Sequence, residues 1–169
     1  MPFYKTADKI NAMKTKHKIT ITKAKLQDAV AIREIISVYA KEDKMLPRSL
    51  SSIYDRIKDF YIAKVNNKVV GTCGIHFFWE DIAEIRSLAV DKKFLGSGIG
   101  SLLVKACIKD AKEMGVRKIF TLTLVPRYFS KFGFKKVDSR KLPMKIWGEC
   151  KNCPKFMNCD EIPMLLEIK

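Results

Sequence analysis

Histidine is scarce in this chain: two in 169 residues, His17 and His76, neither set beside a readable nucleophile and carboxylate. A Ser–His–Asp or Cys–His centre is therefore not expected. Acidic residues are also in short supply, 18 against 33 Lys and Arg, which leaves a formal charge of +15. No stretch approaches the ~18 uninterrupted apolar residues of a membrane-spanning helix. The first eighteen residues carry five lysines but no apolar core, so a secretory leader is not expected and a cytoplasmic location is. Two nucleotide-binding signatures are missing as well. Gly96, Gly98 and Gly100 do not have G-x-G-x-x-G spacing, and five residues separate them from the strand end at Val90. No Lys-Ser/Thr follows in the place a Walker loop needs.

What is present suits a single α/β domain with one sizeable core. Basic residues are spread from Lys5 to Lys169, which reads as a solvated surface, and nucleic acid is disfavoured as a partner. A cofactor rich in phosphate would still gain from the field. Residues 1–17 form a basic N-terminal extension. Ile19-Thr20-Ile21-Thr22 alternates as a strand, and Asp28 to Tyr39 has helical spacing. A second helix follows Met45-Leu46-Pro47-Arg48-Ser49, with Ser49 as its cap. Phe60–Val65 and Val69–His76 flank Asn66-Asn67-Lys68, a hairpin signal. Arg117 to Leu124 alternates again, Pro126–Phe132 makes a short helix, and strands at Lys135–Val137 and Met164–Ile168 complete the order β-α-α-β-β-β-α-β-α-β-β. This is a mixed, mostly antiparallel sheet flanked by helices.

The most informative stretch runs from Glu84 to Gly115. Leu88-Ala89-Val90 closes a buried strand, Gly96, Gly98 and Gly100 follow a charged turn, and a helix carries apolar Ile99, Leu102, Leu103, Ala106, Ala111 and Met114. A strand end, a glycine-rich turn and a helix start together favour an anion, because unpaired N–H groups converge there. Leu88-Ala89-Val90 followed by Leu95-Gly96-Ser97-Gly98-Ile99-Gly100 resembles the acetyl-CoA motif of the GNAT N-acetyltransferases, Arg/Gln-x-x-Gly-x-Gly/Ala, with Leu95 in place of Arg or Gln. The resemblance implies the GNAT fold and acetyl-CoA as cosubstrate. It puts Leu88, Ala89, Val90, Leu95, Gly96, Ser97, Gly98, Ile99, Gly100, Ser101 and Phe129 at the cofactor. Phe129 stands where many members of that family carry a Tyr that protonates the departing thiolate. Tyr128 lies about 100° round a helix from it.

A narrower resemblance covers residues 19–169. Leu46-Pro47-Arg48-Ser49, Trp79–Val90, Phe120-Thr121-Leu122-Thr123 and the tail from Leu142 to Pro154 are similar to the short stand-alone N-acetylglutamate synthases. The resemblance leaves out the amino-acid-kinase domain that longer synthases carry. This implies acetyl transfer to the α-amine of L-glutamate, with Glu84 as base and Thr123 or water supplying the proton for the thiolate. Arg48 is the leading contact for the substrate carboxylates, with Arg86, Lys145 and then Arg127 behind it. Ser49 adds a hydroxyl, although capping is its main expected task. Another small amine or a protein amine as acceptor, and a non-catalytic basic binding module, stand as alternatives. A homodimer is left open.

The cysteines form a separate motif in an insertion at 142–160. Cys150-x2-Cys153-x5-Cys159 offers three thiols where a structural zinc site commonly needs four ligands. Asp160, His76, Cys73 or a second chain would have to complete it. No metal is expected for catalysis, and a structural metal, a disulfide and free thiols all remain open. Cys73 and Cys107 read as small core residues.

Overall fold

The computed structural model describes residues 18–142 and 150–169. The basic extension at 1–17 and Lys145 fall outside them. Seven strands, β1 (Ile19–Lys23), β2 (Phe60–Val65), β3 (Lys68–Trp79), β4 (Ile82–Val90), β5 (Lys118–Thr123), β6 (Lys135–Lys136) and β7 (Ile162–Glu167), form one sheet in the order β1-β2-β3-β4-β5-β7-β6. The β4–β5 pair is parallel, and β1–β2, β2–β3, β5–β7 and β6–β7 are antiparallel. Helices α1 (Ala29–Lys41), α2 (Leu50–Asp55), α3 (Ile99–Glu113) and α4 (Pro126–Ser130) fall where the sequence pattern sets them. Short 3-10 turns at 26–28, 57–59, 92–94, 139–141 and 156–158 join them.

The chain gathers into two compact units. The first takes the residues up to Ile75 together with Ser87–Lys109. There Ala29, Ile32 and Ile36 of α1 are fully buried with Ile53 of α2 and with Phe60 and Ile62 of β2. Each such Ile contributes about 1.5–3 kcal/mol on leaving water. The turn between β2 and β3 holds Asn66 at φ 49° and Asn67 at φ 63°. Two successive left-handed residues make the type I′ turn that matches strand twist, and Asn tolerates that region better than most side chains. Asp28, at the start of α1, is buried and pairs with Lys64 of β2 at 2.9 Å, while its carboxylate also accepts the Lys25 N–H at 2.8 Å.

The second unit takes His76–Arg86 and the residues from Asp110 onward. Its core joins Ile82, Phe120 and Leu142, with Phe78, Leu122, Val137, Cys150 and Leu165 packed on them.

Two expectations need correction. In α3 the buried face is Ile99, Leu103, Val104, Cys107 and Ala111, whereas Leu102 and Met114 are 40% and 63% exposed. The apolar stripe is narrower than the sequence suggested, because Leu102 lies on its lysine-bearing side and Met114 falls just past the helix end at Glu113. The last strand begins at Ile162 instead of Met164. Pro163 argues against a strand interior, yet it lies where the ladder to β6, Lys135↔Leu165 and Lys136↔Met164, does not reach. Its carbonyl accepts the Val137 N–H at 3.1 Å.

Candidate active site

In the first unit, β4 ends in Ala89 and Val90, 3% and 8% exposed, with Leu88 half-buried before them. The chain then turns through Asp91, whose carboxylate accepts the Lys93 N–H at 3.0 Å. The Phe94 carbonyl is occupied twice by Ser97, through its N–H at 3.2 Å and its Oγ at 2.5 Å. That double contact accounts for the burial of Ser97 to 4% exposure. Gly96 and Gly98 on either side take φ of 79° and 85°. A Cβ at either glycine would meet nothing within 4 Å, so backbone conformation and not space calls for glycine. Leu102 N–H closes the first helical bond to the Gly98 carbonyl at 3.1 Å, which leaves the Ile99, Gly100 and Ser101 amides at the open end of α3. Successive amides after left-handed glycines make an anion-binding concavity, reinforced by the helix dipole. Leu95, which replaces a charged or polar residue of the motif, is 59% exposed.

Close packing holds this helix start against the sheet. A Cβ on Gly71 of β3 would come within 3.0 Å of Ile99 Cγ2 and 3.1 Å of Leu103 Cδ1. Arg48 is half-buried ahead of α2, and Ser49 caps that helix by accepting the Ser52 N–H at 3.1 Å. The capping task expected of Ser49 is therefore its observed contact.

In the second unit, Glu84 and Arg86 are two residues apart on β4, which puts both side chains on one face. Glu84 Oε2 and Arg86 Nη1 lie 3.5 Å apart, with side-chain exposures of 10% and 9%. A buried carboxylate and guanidinium compensate each other's lost hydration. The parallel pairing of β4 with β5 runs from Ile82↔Lys118 to Glu84↔Phe120. Thr123, 6% exposed, ends β5 and accepts the Val125 N–H on its Oγ1 at 3.0 Å, just before Pro126 starts α4. A hydroxyl that accepts still has its proton to donate. Phe129 is 4% exposed, edge-on to Phe134 at 5.5 Å and to Tyr128 at 5.5 Å. It anchors α4 in an aromatic cluster.

All five cysteines are free thiols. The Cys153 N–H donates to the Cys150 carbonyl at 3.0 Å, so the C-x2-C segment is a tight turn. Burial, then the neighbouring Cys159, Cys153, Glu161 and Glu84, push the Cys150 thiol up to about 11. Among the described residues, no three His, Cys, Asp or Glu side chains are grouped to hold a metal. No described helix is long and apolar enough to cross a membrane.

Sequence reasoning missed one side chain at the loop. The Tyr39 hydroxyl of α1 donates to the Val90 carbonyl at 2.5 Å, from 51 residues away in the chain. No local pattern signals so distant a contact.

The geometry is thus a mixed sheet with a parallel β4–β5 pair and an amide-lined turn opening α3, suited to hold an anion. The family description "Acetyltransferase (GNAT) family" matches residues 27–134. An uncharacterized N-acetyltransferase of Chlorobaculum tepidum is 44% identical over 145 residues, 86% of this chain and 94% of that protein. The chain belongs to the acetyltransferase (GNAT) family and is an acetyl-CoA-dependent N-acetyltransferase. An amino-acid acetyltransferase of Mycobacterium tuberculosis is 28% identical over 132 residues, 76% of this chain and 75% of that one. A crystal structure of a Mycobacterium tuberculosis protein in complex with CoA superposes with a TM-score of 0.76 at 25% identity, covering 89% of this chain and 99% of the other. N-acetylglutamate synthase from Neisseria gonorrhoeae, complexed with coenzyme A and N-acetyl-glutamate, shares the fold at a TM-score of 0.83 and 21% identity. The match covers 90% of this chain and 35% of that synthase, so the chain spans about a third of its length.

Proposed function

We propose that the protein transfers the acetyl group of acetyl-CoA to the α-amine of L-glutamate. The observation that carries the reading is the buried Glu84–Arg86 pair on β4, the strand whose end opens the glycine turn. The likeness to amino-acid acetyltransferases over three quarters of the chain supports the choice of an amino acid as acceptor. On this reading the product is N-acetylglutamate, the reaction is the first step of arginine biosynthesis, and the enzyme works in the cytoplasm.

The pyrophosphate of acetyl-CoA rests on the amides of Gly96 and of Gly98 to Ser101, and the side chains of Leu88 and Leu95 line its apolar parts. The ammonium group of glutamate must lose a proton before it attacks, and Glu84 accepts it directly or through water. The amine nitrogen adds to the thioester carbonyl carbon, and backbone N–H groups near Val90 hold the oxyanion. The C–S bond then breaks as the carbonyl re-forms, and the proton still carried by the attacking nitrogen passes through the Thr123 hydroxyl, or a water held by it, to the CoA thiolate. Arg48, with Arg86 and Lys145, receives the two carboxylates of glutamate, and forked guanidinium donors suit them. Arg86 would thus serve Glu84 and substrate together.

The test is thiol release from acetyl-CoA with single amino acids, polyamines and lysine peptides as acceptors. Turnover with L-glutamate is expected, with kcat lowered about 100- to 10,000-fold in Glu84→Gln, which keeps the shape of the side chain. Arg48→Ala should raise the KM for glutamate on the order of 10- to 100-fold. Activity confined to polyamines or lysine peptides would refute the glutamate assignment.

A further inference from the structure

One peptide group ties α1 to the exit of β4. The Val90 carbonyl accepts the Tyr39 hydroxyl at 2.5 Å, and the N–H of the same peptide, that of Asp91, donates to the Val70 carbonyl at 2.8 Å. Both polar groups of the unit are engaged, one by a helix and one by the neighbouring strand. The anchor itself is firm. Tyr39 follows Ile32 and Ile36 along α1, and both are fully buried. A second tie sits one residue on, where Lys92 pairs with Glu42 at the C-terminus of α1, and Glu42 also holds Lys44 at 2.7 Å. These charged groups lie at the surface and are screened by salt, whereas the hydroxyl–carbonyl bond is part-buried and is not. Burial chiefly raises the Tyr39 phenol above its usual range, so it stays a donor across any pH at which the enzyme is assayed.

We propose that Tyr39 is a positioning residue for acetyl-CoA: by holding the Val90 carbonyl it sets the direction in which β4 delivers the chain into the amide-lined turn. The inference rests on the reading of Leu88 to Ser101 as the acetyl-CoA site. A peptide held at its carbonyl and its N–H cannot rotate, so the amides from Gly96 onward start from a fixed plane. Removal of the hydroxyl leaves the carbonyl without this partner and lets the strand end drift. The cofactor, whose pyrophosphate needs several amides aligned at once, is the ligand that registers the change.

The experiment compares the full chain with Tyr39→Phe and Gly98→Ala. Calorimetric titration with CoA is run beside steady-state kinetics with acetyl-CoA and L-glutamate, melting curves, and hydrogen exchange of residues 88–98. Tyr39→Phe is expected to weaken CoA on the order of 3- to 10-fold and to raise the KM for acetyl-CoA in parallel. The KM for glutamate should stay unchanged, and exchange should quicken in 88–98 of the ligand-free protein. If Gly98→Ala loses affinity while Tyr39→Phe binds CoA like wild type, the positioning role is overturned and the loop reading stands. If both bind CoA like wild type, the loop reading falls and takes the inference with it. Equal losses for both substrates that track a lowered melting temperature would mark Tyr39 as merely structural and also overturn the proposal.

Discussion

Side chains that act within their own strand or turn are the ones local sequence reveals. Glu84 and Arg86 share a face because strands alternate, and Ser49 caps α2 because a hydroxyl before a helix finds the N–H three residues on. Tyr39 was invisible for the opposite reason, since its partner is 51 residues distant. Cys150 shows a third case. The C-x2-C spacing is plain in the sequence, but reactivity depends on what covers the sulfur. Packing on the Ile82–Phe120–Leu142 core and nearby acidic and thiol groups hold the Cys150 thiol protonated, with its titration pushed up to about 11. A thiol attacks only as thiolate. Brief iodoacetamide treatment at pH 8 should therefore label exposed Cys159 well before Cys150, with the Cys150 rate climbing until about pH 11. Peptide mass spectrometry reads the order, and early labelling of Cys150 would contradict its placement.

At the level of elements, the order of strands and helices was legible because each carries its own period and its own stop. The Asn66-Asn67 turn, the alternation in β5 and the apolar spacing of α1 needed no knowledge of the rest. The exposed side of α3 was not legible: Leu102 and Met114 fit a helical stripe with Leu103, and only packing leaves those two exposed and adds Val104 to the buried Leu103 and Cys107. The Asp28–Lys64 pair was hidden in the same way, because β2 is not adjacent in sequence to α1. It clamps the first turn of the helix to the sheet with one buried carboxylate. Removing that carboxylate strands a partly covered Lys64 and also frees the Lys25 N–H. Asp28→Ala should cost about 3 kcal/mol, the low end for a broken buried pair because Lys64 keeps a quarter of its surface in water. Asp28→Asn, which still accepts from Lys25, should lie between Ala and wild type. Urea unfolding measures both, and a loss under ~1 kcal/mol for Ala would show the pair to be ordinary surface charge.

For the molecule as a whole, the excess of 33 basic over 18 acidic residues is the property least tied to any single contact. A charge of +15 acts on every approaching anion, and acetyl-CoA with its three phosphate groups is strongly anionic. The contacts proposed for its pyrophosphate are backbone amides, which salt screens less than exposed side chains. Long-range attraction and local grip should therefore separate when ionic strength changes. Raising salt from about 10 mM to about 300 mM shrinks the screening length from ~30 Å to under ~10 Å, so the field of distant lysines fades while the turn stays intact. Several-fold loss of kcat/KM for acetyl-CoA with little change in kcat is the expected outcome, since capture slows and chemistry does not. The acceptor offers a control in the same assay. Glutamate carries one net negative charge, and its kcat/KM should fall less than that of acetyl-CoA over the same range. A kcat/KM for acetyl-CoA that is flat with salt would mean that the lysine-rich surface only solvates the protein and that the amide-lined turn alone captures the cofactor.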